Sequence, residues 1–188
     1  SNGLAGSNNI QQVVIDLVSS GEVYIDNIYF YKTNGGGGTG GAPTSPAPTP
    51  SEMASNVISI YSDAYTDVAR DGFNFYGAAA FEEVQIGGNG ALKYTAAEVD
   101  GGNFQVIELG GANQIDASGA GMTNFRFDIW FPNESDATTA FLMKLVDFGT
   151  TTSEAQLNIN AASNPALSTG SWLQFDFPFS ELQSNGIA

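Results

Sequence analysis

One stretch of this sequence alternates ring, cation and carboxylate. If residues 125–131 are extended, Phe125, Phe127, Ile129 and Phe131 fall on one side and Arg126, Asp128 and Trp130 on the other. The first side reads as core. The second sets an indole beside a guanidinium and a carboxylate, a combination that suits a sugar: its C–H faces lie on the ring and its hydroxyls take charged or amide partners. Lys144 and Trp172 are the candidates that extend this surface from other strands. The plainer alternative for each tryptophan is packing beneath a loop, the commoner fate of a lone indole in a small β-domain. Asn103, Gln105, Lys93 and Tyr94 are further polar or ring candidates, whereas Tyr24, Tyr29 and Tyr31 read as ordinary strand residues.

Other chemistries are closed off. The 188 residues contain no His and no Cys, which excludes Ser-His-Asp and Cys-His catalysis, thiolate chemistry, disulfides and the usual zinc sites. Acidic residues are abundant enough that some pair falls close by chance, but no catalytic motif accompanies them, so the expectation is a protein that is not an enzyme. Twenty acidic residues against five basic ones give a net charge of −15. Such a chain is repelled by nucleic acid and by anionic membrane surfaces. The acidity serves solubility or, in part, supplies the hard oxygen ligands that Ca²⁺ prefers. No apolar run approaches the ~20 residues of a membrane helix, so no membrane insertion is expected.

The elements that would position these residues are short strands. Residues 11–18 and 22–32 form two such runs, the first with Val13, Ile15 and Leu17 in alternation, the second directing Val23, Ile25, Ile28 and Phe30 toward a core. Further runs are 57–61, 81–86, 92–95, 104–109, 125–131, 141–148, 156–159 and 172–177, broken by clusters of Gly, Asn and Pro. Residues 117–122 and 180–183 are at best helical turns. The expected fold is all-β, a jelly-roll β-sandwich of two antiparallel sheets. Residues 34–51, with a run of four glycines at 35–38 and then Pro43, Pro46, Pro48 and Pro50, read as a linker that either spans a domain face or separates two domains.

Ser1-Asn2-Gly3-Leu4-Ala5 recurs as Ser184-Asn185-Gly186-Ile187-Ala188, which suggests a repeat with a period of one domain plus its linker. On that reading residues 1–33 are the C-terminal strands of one module and 52–188 the front of the next, cut out of register. The strands at 1–33 then fold back across the linker, or they insert into a neighbouring copy; the repeat tilts the expectation slightly toward donation or a longer parent chain.

The stretch Val57-Ile58-Ser59-Ile60-Tyr61-Ser62-Asp63-Ala64-Tyr65-Thr66-Asp67-Val68 resembles the jelly-roll carbohydrate-binding modules of Bacteroidota polysaccharide-utilisation and surface glycan-binding proteins. So do residues 122–132, with Arg126-Phe127-Asp128-Ile129-Trp130, then Lys144-Leu145-Val146-Asp147-Phe148-Gly149, and Gly170-Ser171-Trp172 with Asp176 and Pro178. The usual ending of such modules looks like Val23-Tyr24-Ile25-Asp26-Asn27-Ile28-Tyr29-Phe30-Tyr31-Lys32. The resemblance implies polysaccharide binding without chemistry, at the outer cell surface or outside the cell, in tandem with neighbouring copies. It also implies a structural Ca²⁺ held by Asp26 and Asp63; the alternative is that Asp26 and Asn27 make a bulge or a local hydrogen bond. Where the resemblance leads one to expect a tryptophan, in the loop after Asp67, this chain has Phe73-Asn74-Phe75-Tyr76-Gly77, and Tyr76 is the candidate ring there. The competing reading is a structural repeat of a surface fibre or adhesin stalk. A covered face around Trp130 favours the spacer; an open groove favours the binder.

Overall fold

A computed structural model of the chain describes residues 10–17, 21–31, 44–76, 79–96, 104–131, 141–149, 152–168 and 170–184. It is nearly all β, with two antiparallel sheets packed as a sandwich. The strands are β1 (Ile10–Leu17), β2 (Gly21–Tyr31), β3 (Val57–Tyr61), β4 (Gly72–Phe75), β5 (Ala80–Ile86), β6 (Asn89–Ala96), β7 (Phe104–Glu108), β8 (Asn124–Trp130), β9 (Phe141–Asp147), β10 (Ser153–Ile159) and β11 (Trp172–Pro178); one short helix, α1 (Phe179–Ser184), follows. One sheet has the order β10-β9-β1-β7-β4. The other has the order β11-β8-β2-β6-β5, with β3 also paired to β2.

Alternation fixes which side chains make the core. Val13 and Ile15 of β1, Phe125, Phe127 and Ile129 of β8, Met143 and Leu145 of β9, and Ala155, Leu157 and Ile159 of β10 are all buried in one cluster between the sheets. In β2 the inward residues change parity, from Val23 and Ile25 to Ile28 and Phe30. A bulge makes this work: the β2–β8 register shifts between Asp26 and Tyr29, and Asn27 sits at φ 52°, a conformation asparagine tolerates better than most residues. The β5–β6 connection is a two-residue hairpin. Gly87 and Gly88, at φ 61° and 90°, supply the two left-handed positions that such a turn needs to match the strand twist.

The N-terminal strands are built into the sandwich of their own chain. β1 lies between β9 and β7, and β2 lies between β8 on one side and β6 and β3 on the other. The fold-back arrangement, which the sequence reading ranked slightly below donation, is therefore the one this single chain adopts. The later part of the linker spans a domain face: Ala47 is buried against Ile86, Ala91, Trp130 and Trp172 on the outer side of the six-stranded sheet. Among the described residues no helix is long and apolar enough to cross a membrane. Asn103 lies outside the described residues.

Candidate functional site: two outer faces

The outer face of the six-stranded sheet holds four of the residues singled out in the sequence. Trp130 and Trp172 are cross-strand partners with rings 5.9 Å apart. They are only 3% and 4% exposed, because the strap at residues 44–50 lies over them. The Trp172 Nε1 donates to the Ser45 carbonyl at 3.1 Å, whereas the buried Trp130 Nε1 has no hydrogen-bond partner among the described residues. These tryptophans thus follow the packing alternative rather than that of an open stacking surface.

Arg126 and Asp128 are buried on the same face. Arg126 lies 3.8 Å from Glu52 and 3.9 Å from Asp128, with its guanidinium 6.0 Å from the ring centre of Tyr29. Glu52 also accepts from the Tyr29 hydroxyl at 3.1 Å. The Asn27 amide donates to Asp128 at 2.7 Å and reaches the Pro48 carbonyl at 3.4 Å. Burial pushes the Asp128 carboxyl up to about 6, against the opposing pull of Arg126 and the Asn27 and Gln174 amides.

Asp26 and Asp63, the pair expected to hold Ca²⁺, both engage the start of β6. Asp26 accepts from the Asn89 amide and from the Asn27 backbone N–H; Asp63 accepts from the Gly90 N–H at 2.6 Å. Ser62 donates to the Asn27 side-chain oxygen at 2.8 Å. The bulge and local hydrogen bond weighed as the alternative are thus present. The two carboxylates are the donor type a hard cation takes, while Asn27 and Asn89 turn their N–H groups toward carboxylates in this arrangement and add no oxygen ligand. Burial pushes the Asp26 carboxyl up to about 7, and the nearby Asp128 and Asp63 raise it further, a penalty that a cation would relieve. Among the described residues no three acidic side chains are grouped closely enough to hold a metal by themselves.

The other two candidates sit across the sandwich. Lys144 is on β9, in the five-stranded sheet, so it does not extend the Trp130 surface; it lies 3.6 Å from Glu154. Register places Gln156, Lys144, Val14, Val106 and Phe75 in one row across all five strands. At 4.7–4.9 Å per strand the row is about 19 Å wide. A bulge aims its last member. Between Gly72 and Phe75 the β4–β7 register shifts, so Phe73 enters the core while Phe75 pairs with outward-facing Val106. Phe75 is 37% exposed, and Tyr76, at φ 60°, is 73% exposed with its ring 5.2 Å from that of Phe75. Gln12, Val14, Asp16, Phe104, Leu142 and Gln156 on this face are half-buried, and Glu154 and Asn158 are exposed.

Of the remaining candidates, Gln105 and Tyr94 are buried in the interior, Gln105 donating to the Ala79 carbonyl and Tyr94 to that of Phe73. Lys93 pairs with Glu22 at 2.7 Å. Phe75 was not singled out from the sequence: its outward aim depends on the bulge, which alternation does not announce. No family model, curated protein or solved structure matches this chain.

Proposed function

We propose that the protein is a non-catalytic carbohydrate-binding module that works outside the cell or at its outer surface, and that the glycan lies on the outer face of the five-stranded sheet. The observation that carries this reading is the Phe75–Tyr76 ring pair at the edge of a partly exposed face. Half-buried Val14 gives that face an apolar centre, next to a buried Val106, and Lys144, Gln12, Gln156, Glu154 and Asn158 give it a polar surround. Sugars need this mixture: C–H surface against rings, hydroxyls against amides and charges. Holding a tyrosine at positive φ costs energy, and exposed strain of this kind clusters where a side chain is aimed at a ligand. On this reading Ca²⁺ is a structural ion held by Asp26 and Asp63.

The test is calorimetry or affinity electrophoresis against soluble β-glucans and other polysaccharides. Binding to at least one, weakened about tenfold or more by Tyr76→Ala, is the expected result. No retention on any of them removes the reading. For the ion, thermal unfolding is compared with added Ca²⁺ and with chelator; an unchanged midpoint eliminates it.

One observation favours a second reading. The face around Trp130 is covered, as a spacer in a surface fibre requires. If no glycan is retained, the spacer is what remains.

A further inference from the structure

The first two strands do not pair with each other. β1 enters one sheet and β2 the other, so together they form an arch that cuts through the whole sandwich. Without the arch, one sheet divides into β10-β9 and β7-β4, and the other into β11-β8 and β6-β5. The core also loses Val13, Ile15, Val23, Ile25, Ile28 and Phe30. The rest of the chain is thus a slot lined by unpaired edges, and such a slot requires an occupant.

We propose that the arch is a joining element, and that the arch of one copy of this chain can fill the slot of a second copy. Among the described residues the strand pairings that close the slot are all made by residues 10–31, which are identical in any copy, so self-closure and exchange use the same pairings and differ in which molecule residues 32–43 connect. That segment stretches to roughly 40 Å at most, enough to reach an adjoining molecule. The entrance of β1 and the start of α1 are both tied to one stretch of chain. Ile10 exchanges backbone hydrogen bonds with Ile115, and the Phe179 N–H donates to the Thr123 carbonyl at 2.8 Å. From the last residue of α1 onward, Ser184-Asn185-Gly186-Ile187-Ala188 repeats Ser1-Asn2-Gly3-Leu4-Ala5, before β1, with Ile for Leu.

The partner would contribute to the glycan face as well. β1 is the middle strand of that face, so Gln12 and Val14 would come from one copy and Lys144, Val106 and Tyr76 from the other. This last consequence rests on the glycan reading; the joining itself does not.

The chain has no cysteine, so introduced thiols are the only ones present. Val14 and Lys144 are direct cross-strand partners, at a separation compatible with a disulfide. Val14→Cys and Lys144→Cys variants with different tags are co-expressed, purified and oxidised. The expected result is a reducible pair containing one of each variant, absent when either variant is oxidised alone. The double variant, V14C with K144C, is the control for thiol pairing within one chain. If it closes internally while no mixed pair forms, the proposal is overturned. If the double variant does not close, the mass of the unaltered chain decides by light scattering over a hundredfold range of concentration: growth supports exchange, and a constant monomer overturns it. Neither readout involves sugar, so failure here leaves the glycan reading untouched, and the reverse.

Discussion

The two outer faces of this sandwich use aromatic residues in opposite ways. On the six-stranded sheet a pair of indoles is sealed beneath the strap at 44–50, and the nearby charges Arg126, Asp128 and Glu52 are turned inward upon one another. On the five-stranded sheet a phenyl and a phenol stand at one edge, on the same face as charges and amides that reach solvent. Residue type does not distinguish the faces, since both offer rings beside polar groups. Cover does. A Trp under a strap contributes stability, whereas a Tyr at an uncovered edge is available to a ligand.

Substitutions that separate stability from binding test this contrast. The largest expected effect is Trp130→Ala: removing a buried indole should cost about 3–5 kcal/mol in urea unfolding. A loss under 1 kcal/mol would mean that the strap does not cover it.

The next effect is pH dependence, measured with chelator present. The folded-state values of Asp26 and Asp128, about 7 and about 6, lie above the unfolded value near 4. The folded state therefore binds more protons between pH 4 and 7. The stabilisation is fully present below pH 4 and is lost as pH rises through 6 and 7. Asp26 faces Asp63, Asp128 and the Asn27 and Asn89 amides; Asp128 faces Arg126, Glu52 and the Asn27 and Gln174 amides. The melting temperature should rise as pH falls from 8 to 5, and Asp128→Asn should flatten the slope. A midpoint that falls over this range would contradict the assignment.

A smaller loss, about 2 kcal/mol, is expected from Ala47→Asp, which places a carboxylate against the indoles. It should also shift tryptophan emission to the red as the strap lifts; unchanged emission would mean that the indoles are buried by something other than the strap. The smallest change in stability, within about 0.5 kcal/mol, belongs to Tyr76→Ala, although this substitution should have the largest effect on glycan affinity.

Much of the fold was legible because period-two patterns survive in short strands. Val57 to Tyr61 was read to the residue, and β1, β2, β5, β7, β8, β9 and β11 to within one residue at either end. β4 was missed because its bulge breaks the alternation: Phe73 and Phe75 share a parity yet face opposite ways. The six-residue helix α1 was too short to show a period, although Phe179 and Leu182 bury one side of it. The site was less legible for a similar reason. Alternation says which side of its own strand Lys144 occupies, but not which sheet the strand joins. Nor does it reveal that a proline-rich segment lies across Trp130, because that cover comes from residues distant in sequence.

The arch has a consequence in time. Val14 leaves the ribosome before its neighbours Val106 and Lys144, which are made about 90 and 130 residues later. The arch is made before the strands that flank it, and until it docks both half-sheets keep open edges. Non-local pairing of this kind folds slowly and leaves partly assembled chains exposed. On a polysome, where nascent copies crowd together, the interval before the arch docks is when one chain is most able to accept another's strands.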